Sequence, residues 1–518
     1  MAKRPSTVEV VARYHVSPPP NSAPPTSLPL TFFDIPWLCF SASQPLFFYK
    51  YPFPTNHFLS TTLPTLVHSL SLTLQHFFAL AGSLVWPPDP FKPLIVYNEG
   101  NYVSLVVAES DGDFFHFSGN HQRCVNEFYP LLPQLPSRAS ESKHEIPLLA
   151  AQITIFSNSG ICIGFAYHHV VADGRTFNSF IKTWASLFRD PSFLIKSLPF
   201  YDRTVVKDTC GLESIFLNDW SNRKSSQEMA IGVDTRVTNL SDSDMVRATF
   251  LMCPGDMEKI KQWIVTQCKL KNNPQPPYLT PSNLTCAFVW ICLIKAQEKV
   301  NGKLFGKNPS YFGFNAGGIT RLDYPVPTTY FGNCIAFART MAIQRELCGE
   351  DGIIVAANMI GNRVKELDDG VLAGAETWIS DWAVFYESES HVMVTGSPKL
   401  DFYDTDFGWG RPKKIEEISN DKANAISFTE SRDVKGGIEC FGCLLKEIQI
   451  YLLTMAASKA FAAVLVIAML SAMASAQDFG AAPAPSPSMD KGAAYSLGMS
   501  GAAICSSLLL SALALLRQ

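Results

Sequence analysis

The sequence predicts a mixed α/β protein built as two halves, and three observations carry the prediction. First, Leu149 to Phe156 (LAAQITIF) and Ile161 to Tyr167 (ICIGFAY) read as two strands joined by the turn Ser157-Asn158-Ser159-Gly160. Second, the period changes after Gly174: Phe177, Phe180, Ile181, Trp184 and Leu187 fall at helical spacing. Third, another run of strands and helices begins near Val246. It follows an irregular stretch, Pro191 to Lys224, where Pro199, Asp202 and Asp208 break any period.

The other elements follow along the chain. A Pro-rich start, Ser17 to Leu28, leads into the apolar segment Leu28 to Leu38 (LPLTFFDIPWL). Leu59, Leu63, Leu66, Leu70, Leu74 and Phe77 make one face of an amphipathic helix whose regular part starts near Pro64. Short strands are expected at Leu94–Tyr97, Tyr102–Val107 and Ile153–Phe156. In the second half, Ala248–Cys253 reads as a strand and Pro254–Val265 as a helix with proline at its start. Asn283–Glu298 reads as a buried helix and Phe312–Ala316 as a strand. The boundaries drawn are a first half at 1–200, a crossover at 201–230, a second half at 231–454 and a tail at 455–518.

Composition narrows the class. With 518 residues and a formal net charge of −4, the chain is long enough for two or three domains and carries no basic excess for nucleic acid. The 13 cysteines are odd in number and scattered. Cys440-Phe441-Gly442-Cys443 has no second pair to complete a structural zinc site, so no metal is expected. The N-terminus lacks an apolar core of signal-peptide length, which points to a cytosolic body with reduced thiols.

The stretch His168-His169-Val170-Val171-Ala172-Asp173-Gly174 lies where the strand-like run ends and the helix-like run begins. Strand alternation puts Ile161, Ile163, Phe165, Tyr167 and His169 on one face and His168 on the other. A histidine at such a turn can serve as a general base on a hydroxyl. By itself the spacing is a weak signal, because most single histidines are structural. The second landmark is Asp406-Phe407-Gly408-Trp409-Gly410, two glycines around a tryptophan, which marks a tight loop.

Together the two motifs resemble the paired signature of the plant BAHD acyltransferases. Tyr330-Phe331-Gly332-Asn333-Cys334, the LPLTFFDIPWL segment and Leu70 to Trp86 resemble the branch that acylates anthocyanins and other phenolic glucosides, often with malonyl-CoA. The resemblance covers about residues 5 to 445. It implies two chloramphenicol-acetyltransferase-like domains with an active-site channel between them, and His169 at its middle. It implies an acyl-CoA, malonyl-CoA first, as co-substrate with no bound cofactor. The other partner is a phenolic glucoside, and the protein is expected to be a monomer. His169 would take the proton of a sugar hydroxyl as that oxygen attacks the thioester. Neutral imidazole is needed, which an ordinary pKa of about 6.5 permits.

The resemblance implies further roles. Asp173, with Gly174, would hold the turn by pairing with Arg321, although Ile319 stands where family members often carry a first arginine. Asp406 is either a second acid/base or, as preferred here, the anchor of the structural loop formed with Phe407, Gly408, Trp409 and Gly410. Lys261 and Thr280 are candidates for CoA phosphate contacts. Arg175 either receives a malonyl carboxylate or is a surface arginine at a helix start. A catalytically impaired relative is the alternative, motivated by Ile319 and by a C-terminus that stops short of the family's closing strand and helix at Cys440–Thr454.

From Met455 the composition changes. Met455–Lys459 is a basic start, Ala460–Met473 an apolar run, and Ala474-Ser475-Ala476 a cleavage-like site. A Pro/Ala/Ser tract (Ala482–Pro487) and an apolar end (Ile504–Leu516) follow. This segment resembles a whole arabinogalactan peptide precursor. Two joined coding units are preferred here over a tail helix or a membrane hairpin, because such signals act at an N-terminus. Membrane association is expected only if the tail is functional.

Overall fold

The computed structural model describes residues 6–87, 92–135, 138–140, 143–225, 245–301, 307–423 and 425–450. The described residues lie within one compact unit, Met1–Met455. The whole tail expected from Met455 onward lies outside the described residues.

Two large mixed sheets organise the described chain. The first has six strands in the order Val8–Val16, Val103–Ser110, Leu149–Phe156, Gly160–Tyr167, Pro45–Lys50 and Lys414–Glu417. The second has seven, in the order Ile335–Ile343, Pro309–Gly317, His391–Gly396, Ala425–Glu430, Ile438–Leu445, Met245–Met252 and Arg123–Cys124. Both contain parallel pairs among antiparallel ones, Leu149–Phe156 with Val103–Ser110 in the first and His391–Gly396 with two neighbours in the second. A five-stranded sheet from the first half stands beside them.

The hairpin Leu149–Phe156/Gly160–Tyr167 forms in the expected register, with Leu149 opposite Tyr167. Every residue of both strands is buried. Ile161, Ile163, Phe165 and Tyr167 point into the main core, whereas Cys162 joins a second cluster with Phe48, Phe114 and Phe128 on the other face. That split is the two-residue period of a strand covered on both sides. Helix Gly174–Arg189 then buries Phe177, Phe180, Ile181, Trp184 and Leu187, the stripe its sequence predicts.

Each half contributes a strand to the other's sheet. Lys414–Glu417 pairs with Pro45–Lys50, and Arg123–Cys124 pairs with Met245–Met252. A buried ion network ties these two strands together. Arg123 Nη2 lies 2.7 Å from Glu416 Oε1, and Arg247 Nη2 lies 3.0 Å from Glu416 Oε2. Arg247 also pairs with Asp421. Burial pushes the Glu416 carboxyl up, but Arg123 and Arg247 outweigh it and hold the group at about 2.

Two sequence expectations are corrected. Pro191–Lys224 is not irregular throughout, because Leu212–Ser225 is a helix. The Asp208 carboxylate accepts from the backbone N–H of Leu212 and of Glu213, and Phe216 is buried against Trp378. The acidic cap holds its start, and Leu212 and Phe216 are buried with Ile215, Leu217 and Trp220 packed on the core. The closing strand is also present: Ile438–Leu445 is an internal strand of the seven-stranded sheet, paired on both sides. Among the described residues, no helix is long and apolar enough to cross a membrane, and no group of three or more His, Cys, Asp or Glu could hold a metal ion.

Candidate active site

The strand that leads to His169 stops at Tyr167. The N–H of His168 donates to the Leu148 carbonyl, and that of Val171 donates to His168, closing a turn. Simple alternation therefore does not reach His169, which sits in the turn beyond the strand. Its ring stacks on Trp37, with centroids 3.7 Å apart and planes within 17°. Trp37, Phe40, Trp382 and Tyr386 continue from this ring as an aromatic wall, Trp37 5.6 Å from Trp382 and Phe40 4.7 Å from Trp382.

His169 is half-buried by area, yet its ring is packed closely enough that burial lowers its pKa to about 4. Asp173, its own carbonyl, Asn333 and Asp34 oppose that shift without overcoming it. Burial, and then the neighbouring His169, likewise lower His168 to about 4. Both imidazoles are neutral at pH 7.

Asn333, from the other half of the chain, meets His169 directly: its Oδ1 lies 3.1 Å from His169 Nδ1. Its Nδ2 faces the carbonyls of His169 and Val170 at 2.9 and 3.2 Å, and Asp34 Oδ1 at 3.0 Å. Asp34 is fully buried and accepts from the Asn333 N–H, the Thr31 N–H and hydroxyl, and Arg203 Nη1.

Asp173 is 2% exposed and does not meet Arg321. One carboxylate oxygen accepts from the Thr176 N–H and caps helix Gly174–Arg189. The other accepts from the Cys334 N–H at 3.2 Å and lies 3.6 Å from Arg175. Arg321 instead pairs with Asp368 and donates to the Gly317 carbonyl. The Asp173–Arg321 pairing is corrected. Arg175 donates to the backbone carbonyls of Thr328 and Tyr330. Its guanidinium is engaged by protein carbonyls, which argues against a malonyl carboxylate there.

The Tyr330 hydroxyl accepts from Arg203 at 2.8 Å. Gly332 has φ +138, and a Cβ there would lie 2.3 Å from Arg203 Nη1, so only glycine lets that arginine reach Asp34. Asn333 faces His169, and the Cys334 N–H meets Asp173.

Asp406 lies elsewhere. Its Oδ1 accepts from the N–H groups of Gly408 and Gly410, whose φ angles are +93 and +84, and its Oδ2 lies 3.9 Å from Arg189. Phe407 packs on Tyr49, Trp184 and Phe188, and Trp409 packs on Tyr49, Tyr51 and Phe188. Arg189 ends the 16-residue helix that Asp173 begins. At 1.5 Å per residue that helix is about 24 Å long, so Asp406 is far outside proton-transfer reach of His169. The Asp406 loop packs Phe407 and Trp409 of the second half on Tyr49 and Phe188 of the first. Lys261 is exposed on helix Pro254–Leu270. Thr280 is exposed and accepts from the Asn283 N–H at the start of helix Pro281–Asn301.

Sequence reasoning left Asp34, Trp37, Asn333 and Arg203 without roles. Asp34 and Trp37 lie in the LPLTFFDIPWL segment and Asn333 in the Tyr330 motif, so the signal was a resemblance with no contact attached to it.

The Transferase family pattern matches residues 6–452. Phenolic glucoside malonyltransferase 1 of Nicotiana tabacum is 35% identical over 428 residues, covering 81% of this chain and 91% of that protein. Coumaroyl-CoA:anthocyanidin 3-O-glucoside-6''-O-coumaroyltransferase 1 of Arabidopsis thaliana is 34% identical over 453 residues, covering 83% and 93%. Among solved structures, vinorine synthase superposes with a TM-score of 0.60 at 20% identity, covering 86% of this chain and 96% of that one, and so shares the fold.

Proposed function

The chain belongs to the Transferase family, as an acyltransferase of the BAHD type, and we propose that it moves an acyl group from an acyl-CoA to a sugar hydroxyl of a phenolic glucoside, with His169 as the base. One observation carries the proposal: a neutral, half-buried imidazole whose Nδ1 faces the Asn333 oxygen, leaving Nε2 as its basic atom.

In the proposed reaction Nε2 takes the proton of the acceptor hydroxyl as its oxygen attacks the thioester carbonyl. The tetrahedral intermediate collapses, the carbon–sulfur bond breaks, and the CoA sulfur leaves with the proton held by the imidazolium. The products are an O-acyl sugar and free CoA, and the histidine returns to its starting state. The acyl-CoA is a consumed co-substrate.

The comparisons support a phenolic acceptor. The relatives named above act on phenolic and anthocyanidin glucosides by their names. Those names also divide between malonyl and coumaroyl donors, and malonyl is the donor proposed first.

The test is product analysis by mass spectrometry with malonyl-CoA and coumaroyl-CoA against a panel of flavonoid and simple phenolic glucosides. One acyl group added to the sugar is the expected product. A folded, soluble protein that forms no ester with any of these pairs overturns the proposal.

A further inference from the structure

We infer that Asp34 and Asn333 are positioning residues for the transfer, acting through His169 to keep the proton on Nδ1 and the lone pair on Nε2. The inference rests on the reading of His169 as the base.

The argument is one of donors and acceptors. The Asn333 amide nitrogen faces three acceptors: Asp34 Oδ1, the His169 carbonyl and the Val170 carbonyl. Rotating the amide by half a turn would set its oxygen against all three, one of them a carboxylate. The amide is therefore held one way round, and its oxygen must face His169 Nδ1. An oxygen there can only accept, so Nδ1 carries the hydrogen. Nε2 is left as the basic atom in the neutral ring.

Asp34 makes this orientation durable. Of Asn333's three acceptors, it alone is charged and belongs to a different segment of chain from His169. It is itself over-determined: Oδ2 is held by Thr31 N–H at 2.9 Å, Thr31 hydroxyl at 2.8 Å and Arg203 Nη1 at 3.1 Å, and Oδ1 by the Asn333 N–H at 3.1 Å. Gly332 clears the space through which Arg203 reaches it. When the imidazole takes the acceptor's proton, the charge that appears on the ring faces the Asn333 oxygen, with the Asp34 carboxylate behind the amide. The chain thus places a carboxylate behind its histidine with an amide between them. Orientation of a base by a buried outer partner typically affects rate by orders of magnitude.

Ring-¹⁵N-labelled histidine in the full chain tests this at pH 7.5, with His169 assigned from the signals lost in His169→Gln. The expected wild-type spectrum has Nδ1 protonated and Nε2 not. Asp34→Asn should give a mixture of tautomers and lower kcat by on the order of 10- to 1000-fold, while KM for malonyl-CoA and for the glucoside stays within about threefold. A residue that only held the fold would move stability and both KM values without changing the tautomer. A wild-type His169 protonated on Nε2 overturns the inference even if no variant folds. So does Asp34→Asn with wild-type kcat and tautomer. If His169→Ala is inactive in that case, the base reading survives and only the positioning role falls; if His169→Ala is fully active, the base reading itself falls.

Discussion

His169 Nδ1 and Asn333 Oδ1 lie 3.1 Å apart although 164 residues separate them in the chain. The histidine belongs to a turn of the first half and the asparagine to a loop of the second. The proposed base therefore meets this partner only when both stretches fold together, through a contact that no local segment contains.

The first prediction concerns Asp173. Asp173→Ala removes a helix cap, which costs about 0.5–2 kcal/mol, and releases the Cys334 N–H beside Asn333. Its kcat should fall at least tenfold. Arg321→Ala breaks only the partly exposed pair with Asp368, worth about 1 kcal/mol or less, and should keep near wild-type kcat. Steady-state kinetics on the two variants decides. Equal losses in both would restore the Asp173–Arg321 pairing rejected above.

A second prediction follows from the two histidines. Their folded pKa values of about 4 lie below the ordinary value of about 6.5, so the unfolded chain binds more protons between those limits. Their contribution to stability is fully present above about pH 6.5 and is lost as pH falls toward 4. The slope is at most about 1.4 kcal/mol per pH unit for each ring, less where water reaches it. Urea midpoints at pH 7.5 and pH 5 should show it, and His169→Gln should show a shallower fall. A variant whose midpoint falls as steeply as wild type would remove His169 from the account.

The loop at Asp406 gives a third. Asp406→Asn keeps an oxygen for the Gly408 and Gly410 N–H groups, so kcat should stay within about threefold. Gly408→Ala forces a side chain into left-handed backbone at φ +93 and should cost about 1–2 kcal/mol in thermal or urea unfolding. A stable Asp406→Asn with a hundredfold lower kcat would return this residue to the chemistry.

The buried network supplies a fourth. Glu416→Gln leaves Arg123 and Arg247 buried without their shared carboxylate, so it should destabilise by about 3–5 kcal/mol. Asp351→Asn, which breaks the exposed pair with Lys271, should cost less than about 1 kcal/mol. Urea unfolding of both variants makes the comparison. A Glu416→Gln cost as small as that of Asp351→Asn would mean that the exchanged strands do not depend on these charges.

Much of the fold was legible because it is written in local pattern. The alternating strands at Leu149–Tyr167, the helical stripe from Phe177 to Leu187 and the proline-started helix at Pro254 all form where their period puts them. Helix Leu212–Ser225 was missed because Pro199, Asp202 and Asp208 mark the stretch as a loop, although Leu212, Ile215, Phe216 and Trp220 fall at helical spacing and pack on the core. Of the candidate site, His169 and Asp173 were singled out from spacing joined to a resemblance. The partners of Asp173 were not, and neither were the contacts of Asn333 and Asp34. Those depend on donors and acceptors brought together from positions up to 299 residues apart. Period and propensity carry no information about such pairs.

The most direct test of the central claim is turnover of malonyl-CoA by wild type and His169→Ala, followed as release of free CoA in the presence of an accepted phenolic glucoside. The account predicts glucoside-dependent release with wild type and a loss of roughly 10²–10⁴-fold in kcat with the folded variant, at little changed KM. A folded His169→Ala that releases CoA and forms ester at the wild-type rate would contradict it.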